Sequence, residues 1–456
     1  MRPPKLWMLQ IATVLVFASC AKNNLTLLDI KAIDSEIVSG KAPFKPPPST
    51  ERLDTLIARA PAGSTLTLTK GKIYDVDTTI TIDKPLIIDG TGATINYIGP
   101  AGSTVISIES SKVTLRKLTM KANSGNQYIA NSKLISTNKS NNDNFYSNII
   151  IENCNLSNYN STAIYLRHVR MAILRNNTIY NLPYAGIVLF SCVDGTVSGN
   201  KIYDITSNGT TGGNCYGITV SRQNSFPMDT VPRNILISKN EVSRVPWEGI
   251  DTHGGDYITV DYNRVIDCGV GIAIVSAGSA ELGEIASKAP KFFRVTNNYI
   301  AANQSPDSSK SAIRVNGLDT LIHAASGLIE LNTCFGEGIK LDYTKDVIVR
   351  SNIIDRCNSA YGILLNGNNL NTRILNNQVK DVWLPNSNVS AAIGVKGGYN
   401  YSYIEGNKLL DNGFIPPAPA TKNSYGYKGT SASPYNFPTF GPLNDFSIAR
   451  IAPISL

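Results

Sequence analysis

Residues 177–202 read NTIYNLPYAGIVLFSCVDGTVSGNKI, and this stretch contains the repeat that decides the fold. It opens with Asn177-Thr-Ile, and the same pattern returns 23 residues later as Asn200-Lys-Ile. Between the two copies lies a short apolar run, Gly186-Ile-Val-Leu, which begins with a small residue. Two apolar motifs that recur in a fixed order predict a repeat architecture.

The asparagine motif recurs along most of the chain. The steps from 154 to 177, from 177 to 200 and from 240 to 263 each span 23 residues, and the longer steps contain insertions. The copies begin at Asn177, Asn200, Asn240, Asn263, Asn298, Asn352, Asn377 and Asn407, with weaker copies at Cys154 and Asn332.

A second motif alternates with the first one. It consists of Gly or Ala, then Ile, then any residue, then usually an aliphatic residue, and each copy falls between two asparagine-type turns. An amphipathic helix would need a period of about 3.6 residues, which these segments lack. The copies begin at Ala163, Gly186, Gly217, Gly249, Gly271, Ala312, Gly338, Gly362 and Ala392.

These periods predict a solenoid of short strands. One unit cannot bury its own aliphatic side chains, so successive coils must stack, with parallel strands about 4.8 Å apart. The recurring asparagines would then stack at one turn as a ladder of amides. The pattern resembles the right-handed parallel β-helix of the pectate-lyase-like superfamily over residues 51–412. We therefore expect an all-β fold with a short N-terminal capping helix, whose apolar face is Leu53, Leu56, Ile57 and Ala60.

The N-terminal sequence predicts an exported lipoprotein. Residues 1–19 combine a short basic region with an apolar segment too short to span a bilayer, and Ala18-Ser19 precede Cys20 as in a bacterial lipoprotein box. We expect lipidation of Cys20, a membrane-anchored tether over residues 20–50, and a location at the outer membrane or cell surface, with the periplasmic face left open.

The C-terminal segment, residues 413–456, is rich in Pro and Tyr, and we expect it to form either a cap or a tail.

The composition and net charge of the chain limit the kinds of partner molecule to be expected. The chain has 456 residues and a net charge of +8, with 42 Lys and Arg against 34 Asp and Glu, which favours an acidic partner. Nucleic acid is not expected, because the sequence has no basic run, helix-turn-helix pattern or zinc spacing. An acidic polysaccharide is the other candidate. The six cysteines after Cys20 form no CxxC pair, so we interpret them as buried thiols. We expect a monomer.

One outward-facing strip of the solenoid carries the candidate chemistry. In each Gly-Ile-x-Val copy the Ile and Val point inward, so x and the residue after Val point outward. We name these positions the first and second outward columns. The first column reads Tyr165, Val188, Thr219, Asp251, Ala273, Arg314, Lys340, Leu364 and Gly394; the second reads Arg167, Phe190, Ser221, His253, Val275, Asn316, Asp342, Asn366 and Lys396.

The most distinctive local element is Trp247-Glu248-Gly-Ile-Asp251-Thr252-His253-Gly254. Asp251 and His253 lie at i and i+2 on one strand, so both side chains project to the same side with Cα atoms about 7 Å apart. This Asp-x-His resembles the Asp-Pro-His-Asp motif of mannuronan C5-epimerases. Thr252 replaces the proline and Gly254 the second aspartate. Glu248 stands where those enzymes often have tyrosine.

The resemblance implies abstraction of the C5 proton of a uronate, with a lyase or a C5-epimerase as the outcome. His253 has an intrinsic pKa suited to proton transfer near neutrality, and Asp251 can orient it. Cations are needed to neutralise the substrate carboxylate. The candidate catalytic residues are Asp251, His253, Arg314, Lys340 and Tyr216; the candidate substrate-binding residues are Arg167, Arg222, Glu248, Asn316, Asp342, Asn366 and Lys396.

Two alternatives stay open. Glycoside hydrolysis needs two carboxyl groups about 5–10 Å apart, and Glu248 with Asp251 is the best local pair. A noncatalytic surface protein that binds glycan along the strip is the other alternative. No cofactor is expected; calcium held by Asp251, Asp256 or Asp261 is left open, although no loop motif demands it.

Overall fold

The computed structural model describes residues 51–455 except for 123–126, 138–144, 208, 210–213, 223–230, 278–287, 302–309, 320–321, 385–388, 417–420 and 430–435. The predicted signal peptide, Cys20 and the tether therefore lie outside the described residues. Within the described ranges, no helix is long and apolar enough to cross a lipid bilayer.

A single short helix, α1 (Leu53–Arg59), precedes the strands of the described chain. Its buried residues are Leu53, Leu56 and Ile57, and Ala60 just after it is also buried, as the sequence predicts. Asp54 in the first turn and Arg59 in the last turn complement the helix dipole. The apolar face joins the core of the solenoid, so the helix closes its first coil.

The described strands pair in parallel and form the three faces of a right-handed β-helix. The first face contains β1 (Thr65–Thr67), β4 (Leu86–Asp89), β7 (Val113–Arg116), β10 (Tyr146–Glu152), β13 (Val169–Arg175), β16 (Val193–Ser198), β19 (Arg233–Ser238), β21 (Thr259–Asp261), β23 (Phe293–Thr296), β26 (Ala325–Glu330), β33 (Asn400–Glu405) and β36 (Asn436–Phe440).

The second face contains β2 (Ile73–Val76), β5 (Thr94–Tyr97), β8 (Thr119–Ala122), β11 (Asn155–Ser157), β14 (Thr178–Pro183), β17 (Lys201–Thr206), β24 (Tyr299–Ala301), β27 (Thr333–Phe335), β29 (Ile353–Asp355), β31 (Gln378–Lys380) and β34 (Lys408–Leu410).

The third face contains β3 (Ile80–Ile82), β6 (Thr104–Ile108), β9 (Lys133–Thr137), β12 (Thr162–Arg167), β15 (Ala185–Phe190), β18 (Tyr216–Ser221), β25 (Ser311–Asn316), β32 (Ala391–Lys396), β35 (Tyr425–Lys428) and β37 (Ala452–Ser455). Four long strands turn a corner: β20 (Glu241–His253) and β22 (Arg264–Val275) run from the second face to the third, and β28 (Ile339–Arg350) and β30 (Tyr361–Leu375) run from the third face to the first.

The core is a stack of aliphatic side chains from successive coils. Ile187, Ile218 and Ile250 occupy the same register on neighbouring strands and are fully buried. Each such side chain contributes about 1.5–3 kcal/mol by leaving water. Because a single coil has no core of its own, this contribution depends on stacking.

The predicted asparagine ladder is present along one turn of the coils. Asn240 donates from Nδ2 to Oδ1 of Asn263 at 2.9 Å, and its backbone N–H donates to the same oxygen at 3.0 Å. Asn263 repeats both contacts with Asn298. Asn263 also donates to the carbonyl oxygen of Ile237 at 2.9 Å. Every amide therefore links two coils and satisfies buried backbone groups.

The parallel sheet extends beyond residue 412, where the sequence analysis ended the coils. β35 pairs with β32, and β36 pairs with β33. The ladder also continues, because the backbone N–H of Asn407 donates to Oδ1 of Asn444 at 3.1 Å. The Pro- and Tyr-rich segment thus supplies further coil strands.

The cysteines match their interpretation as buried thiols. All six that the structure describes are free and buried. Burial raises the pKa of Cys154 to about 12, so this thiol is protonated at neutral pH and is a poor nucleophile.

Replacing one amide of the ladder should destabilise the whole solenoid. Asn263→Ala leaves the Asn240 amide groups and the Ile237 carbonyl without their partner, so we expect the free energy of unfolding to fall by about 2–4 kcal/mol. Equilibrium unfolding in guanidinium measures this change. The exposed Asn412, whose amide makes one long contact of 3.4 Å, gives the control variant Asn412→Ala, which should be nearly neutral. Equal midpoints for the two variants would contradict a structural role for the ladder.

Candidate functional site

The register of the third face aligns the residues of each outward column on successive coils. Thr219 pairs with Asp251, and Asp251 pairs with Ala273 on the next coil. In the second column, Ser221 pairs with His253, which in turn pairs with Val275. The same alignment continues through every named position from the 165/167 coil to the 394/396 coil.

Three side chains from the end of β20 form a compact polar cluster. One ligand atom from each of Glu248, Asp251 and His253 lies within 4.8 Å of the others. His253 Nε2 is 3.0 Å from Asp251 Oδ2, and the Thr219 hydroxyl donates to the same oxygen at 2.6 Å. Asp251 is 0% exposed, whereas the His253 side chain is 33% exposed. The imidazole is therefore the part of the cluster that reaches solvent.

Glu248 and His253 in the cluster both have a raised pKa, for different reasons. Burial, and after it the negative charge of Asp251, raises the pKa of Glu248 to about 8, so Glu248 holds a proton at neutral pH. Burial by itself lowers the pKa of His253, but the charge and hydrogen bond of Asp251 outweigh burial and raise that pKa to about 9. His253 is thus mainly an imidazolium below pH 9 and becomes neutral above it.

An aromatic cleft of about 260 Å³ opens beside His253 on the N-terminal side. Tyr216 meets the His253 ring edge to face, with centroids 5.9 Å apart, and Tyr184 meets Tyr216 in the same way at 5.7 Å. Tyr165 and Phe190 stack at 6.0 Å. The cleft is lined by Tyr165, Tyr184, Val188, Phe190, Tyr216, Thr219, Ser221, Arg222, His253 and Ala277.

The sequence analysis placed Tyr216 and Arg222 in the site, and the structure brings both to the cleft wall. It places Glu248 differently from the expected substrate contact. Glu248 is only 4% exposed and, like Asp251, lies beneath the cleft rather than on its wall. Tyr184 was missed, because it lies two residues before the repeat motif that begins at Gly186 and has no pattern of its own.

The other predicted residues follow the columns away from His253. Arg314 lies two coils towards the C-terminus, about 10 Å along the axis, and Lys340 lies on the coil after it. Asn366 donates to Asp342 at 2.7 Å. Arg167 lies on the opposite side of His253, with its guanidinium 5.8 Å from the centre of the Phe190 ring. Asn316 lies beside Val275, and Lys396 is exposed beside Asn366.

The donor groups in the described part of the chain do not fit the calcium site left open above. Asp256 forms an ion pair with Lys288 at 2.9 Å. Asp261 lies on the first face, where Thr296 donates to it at 2.7 Å. Asp251 is grouped instead with Glu248 and His253. Calcium prefers six to eight oxygen ligands, which two carboxyl groups and an imidazole do not provide.

Comparisons with known proteins agree with this fold. Residues 86–282 match the family model described as a right-handed beta helix region. A search of curated protein sequences found no match. The catalytic unit of a thermostable GH87 alpha-1,3-glucanase from Streptomyces thermodiastaticus strain HF3-3 aligns with 13% identity over 91% of this chain and 70% of that chain, with a TM-score of 0.51.

A second solved structure is the A-module of the mannuronan C-5 epimerase AlgE4 from Azotobacter vinelandii. It aligns with 15% identity over 81% of this chain and 87% of that chain, with a TM-score of 0.49. At 13% identity, the alignment with the glucanase bears on the fold alone. The chain is a right-handed parallel β-helix protein, and its function must be argued from the site.

The charge of His253 should depend on its buried partner. Asp251→Asn removes the carboxylate that raises the pKa of His253, so burial then dominates and the pKa should fall from about 9 to below its ordinary value. NMR titration of protein labelled at its three histidines measures this shift. The His323 signal serves as an internal control, since that ring pairs with Asp319 instead. An unchanged His253 titration in the variant would contradict the assigned contact.

Proposed function

We propose that the protein acts on a uronate-containing polysaccharide by abstraction of the C5 proton, as a lyase or a C5-epimerase. The observation that carries the proposal is the imidazole of His253, which is partly exposed at the aromatic cleft while the buried Asp251 holds it at 3.0 Å. An oriented imidazole is suited to proton transfer, and aromatic walls are suited to the apolar faces of sugar rings.

In the proposed reaction the C5–H bond breaks and neutral His253 accepts the proton. The electron pair moves towards the uronate carboxyl group, where Arg314 from two coils away can stabilise the negative charge. In a lyase the pair then forms the C4–C5 double bond, and the C4–O bond breaks with protonation of the leaving oxygen. In an epimerase a proton returns to C5 on the opposite face of the ring.

Tyr216 is the proposed second acid. It lines the cleft in edge-to-face contact with His253. Burial, followed by the negative charge of Asp251, raises the pKa of its phenol, so the group is protonated at neutral pH and can donate. Lys340, which the sequence analysis also names as a candidate catalytic residue, lies three coils from Asp251. The contact geometry therefore favours Tyr216.

Glycoside hydrolysis is the second candidate. It is supported by the neighbouring carboxyl groups of Glu248 and Asp251 and by the pKa of Glu248 near 8, which is typical of a general acid. Neither carboxyl group lines the cleft, however, whereas a hydrolase must bring both to the glycosidic bond. This placement favours proton abstraction through His253.

A panel of alginate, pectate, glycosaminoglycans and neutral glucans tests the reaction. A lyase should give absorbance near 230–235 nm, because its product contains a new C4–C5 double bond. An epimerase should instead change the uronate stereochemistry seen by proton NMR, because the configuration at C5 is inverted. His253→Ala should lower the rate at least about 100-fold, whereas the control His323→Ala should not. The rate should rise with pH towards about 9, since the base is neutral His253.

The other outcomes of the panel each contradict the proposal. New reducing ends without unsaturation, lost in Glu248→Gln, would indicate hydrolysis. Binding of an acidic glycan without any product, with the affinity unchanged by His253→Ala, would indicate a noncatalytic glycan-binding protein.

We also propose that the protein is exported and anchored to a membrane through Cys20. The proposal rests on the basic and apolar leader and on Ala18-Ser19 directly before Cys20. In a bacterial host, labelling with a fatty-acid analogue should modify the natural protein, and Cys20→Ala should abolish the label. Labelling of both forms, or of neither, would contradict this anchor.

A further inference from the structure

One oxygen of the buried Asp251 carboxylate holds two neighbours at once. The Thr219 hydroxyl donates to Oδ2 at 2.6 Å, and His253 Nε2 lies 3.0 Å from the same atom. Glu248 completes the surroundings of the carboxylate. Glu248 and His253 titrate with pKa values of about 8 and about 9, whereas a threonine hydroxyl does not titrate. Of these three neighbours, Thr219 is therefore the one that donates equally at every pH of interest.

The first outward column places this hydroxyl directly beside the acid. Thr219 on β18 pairs with Asp251 on β20, whereas the column continues on the next coil with Ala273, whose methyl group cannot donate. Thr219 lines the cleft but is only 4% exposed, so little water competes for its hydroxyl. The parallel pairing of the two strands therefore fixes the contact between Thr219 and Asp251.

The proton-accepting state of the site needs this contact most. To accept a proton His253 must be neutral, and the positive charge that pairs with Asp251 is then absent. A buried carboxylate without a counter-charge is unfavourable unless other donors stabilise it. The Thr219 hydroxyl donates whatever the charge of the imidazole, so it stabilises ionised Asp251 in this state.

The remaining groups around the imidazole leave this role to Thr219. Tyr216 on β18 meets the His253 ring, but burial, and after it the charge of Asp251, raises the pKa of its phenol, so it stays neutral. Arg222 in the cleft wall is a permanent cation. Glu248 on β20 holds a proton at neutral pH. These groups therefore keep one charge state at pH 7 while His253 changes its own.

We propose that Thr219 is a positioning residue, whose hydroxyl keeps the Asp251 carboxylate ionised and turned towards His253 while the neutral imidazole accepts the substrate proton. This inference rests on the proposed function and adds a residue to it. Thr219 takes no proton itself and acts through Asp251. Its loss should therefore change the titration of His253 and the rate of the chemical step more than it changes substrate binding.

The test replaces Thr219 by valine, which keeps a branched side chain and removes the donor. Without the hydroxyl, Asp251 interacts more strongly with the imidazolium, so the midpoint of the His253 titration in NMR should rise by at least about 0.5 pH unit. With a substrate from the polysaccharide panel, kcat at pH 7 should fall about tenfold while KM stays nearly unchanged. Thr219→Ser keeps the donor and should restore both the titration and kcat.

A matched control comes from the first face, where Thr296 donates to Asp261 on the neighbouring coil at 2.7 Å. Thr296→Val removes an equivalent contact away from the cleft and should change neither the His253 titration nor kcat. Thr219→Ala replaces the valine variant if that variant lowers the thermal midpoint. An unchanged titration or an unchanged kcat in the Thr219 variant would overturn this inference alone. A shifted titration in a protein that turns over no polysaccharide of the panel would overturn the proposed function, and the positioning role with it.

Discussion

The structure depends on the buried ladder of asparagine amides. Each rung uses its oxygen for the previous coil and its Nδ2 for the next, so a coil that slipped by one residue would break contacts on both sides. A slip would also turn every inward side chain of the strand outward. The ladder therefore sets the register of the second face. The pairing of β20 with β22 then shifts its register between Val245 and Glu248, at the corner that leads into the third face. Asp251 and His253 are aligned by the pairs of the third face itself, where Ile250 and Thr252 between and beside them pair with Ile272 and Ile274.

This rigidity permits a buried carboxylate at the site. Taking Asp251 out of water is unfavourable unless partners replace its hydration. Thr219 donates from the preceding coil, and His253 supplies a positive charge from the same strand. Glu248 avoids a second buried charge by holding its proton. Because both neighbouring strands are fixed by their backbone hydrogen bonds, these partners need little further ordering.

The periodic part of the fold can be predicted from the sequence because each of the two motifs marks one structural position. The asparagine marks the turn, and the Ile and Val of the second motif mark the inward side, so both outward columns follow by counting. The shape of the cleft cannot be predicted by counting residues along the motifs. Its depth depends on Tyr184, which lies outside both motifs, and on how far Glu248 sinks beneath the wall. The late copy at Asn444 was missed because Phe446 stands two residues after it, where the motif has an aliphatic residue.

The position of the imidazole above the two acids decides how the site can work. A carboxyl group that never reaches the cleft can act on a substrate only through a neighbour, and Asp251 has His253 as that neighbour. The raised pKa of His253 makes it a stronger base once neutral, while fewer of the molecules are neutral at pH 7. The uronate of the proposed reaction brings its own negative charge, which favours the imidazolium further. In the proposed reaction, Arg314 and Lys340 on the C-terminal coils oppose that effect, and the strip then separates the proposed proton acceptor from the cations proposed to hold the carboxylate.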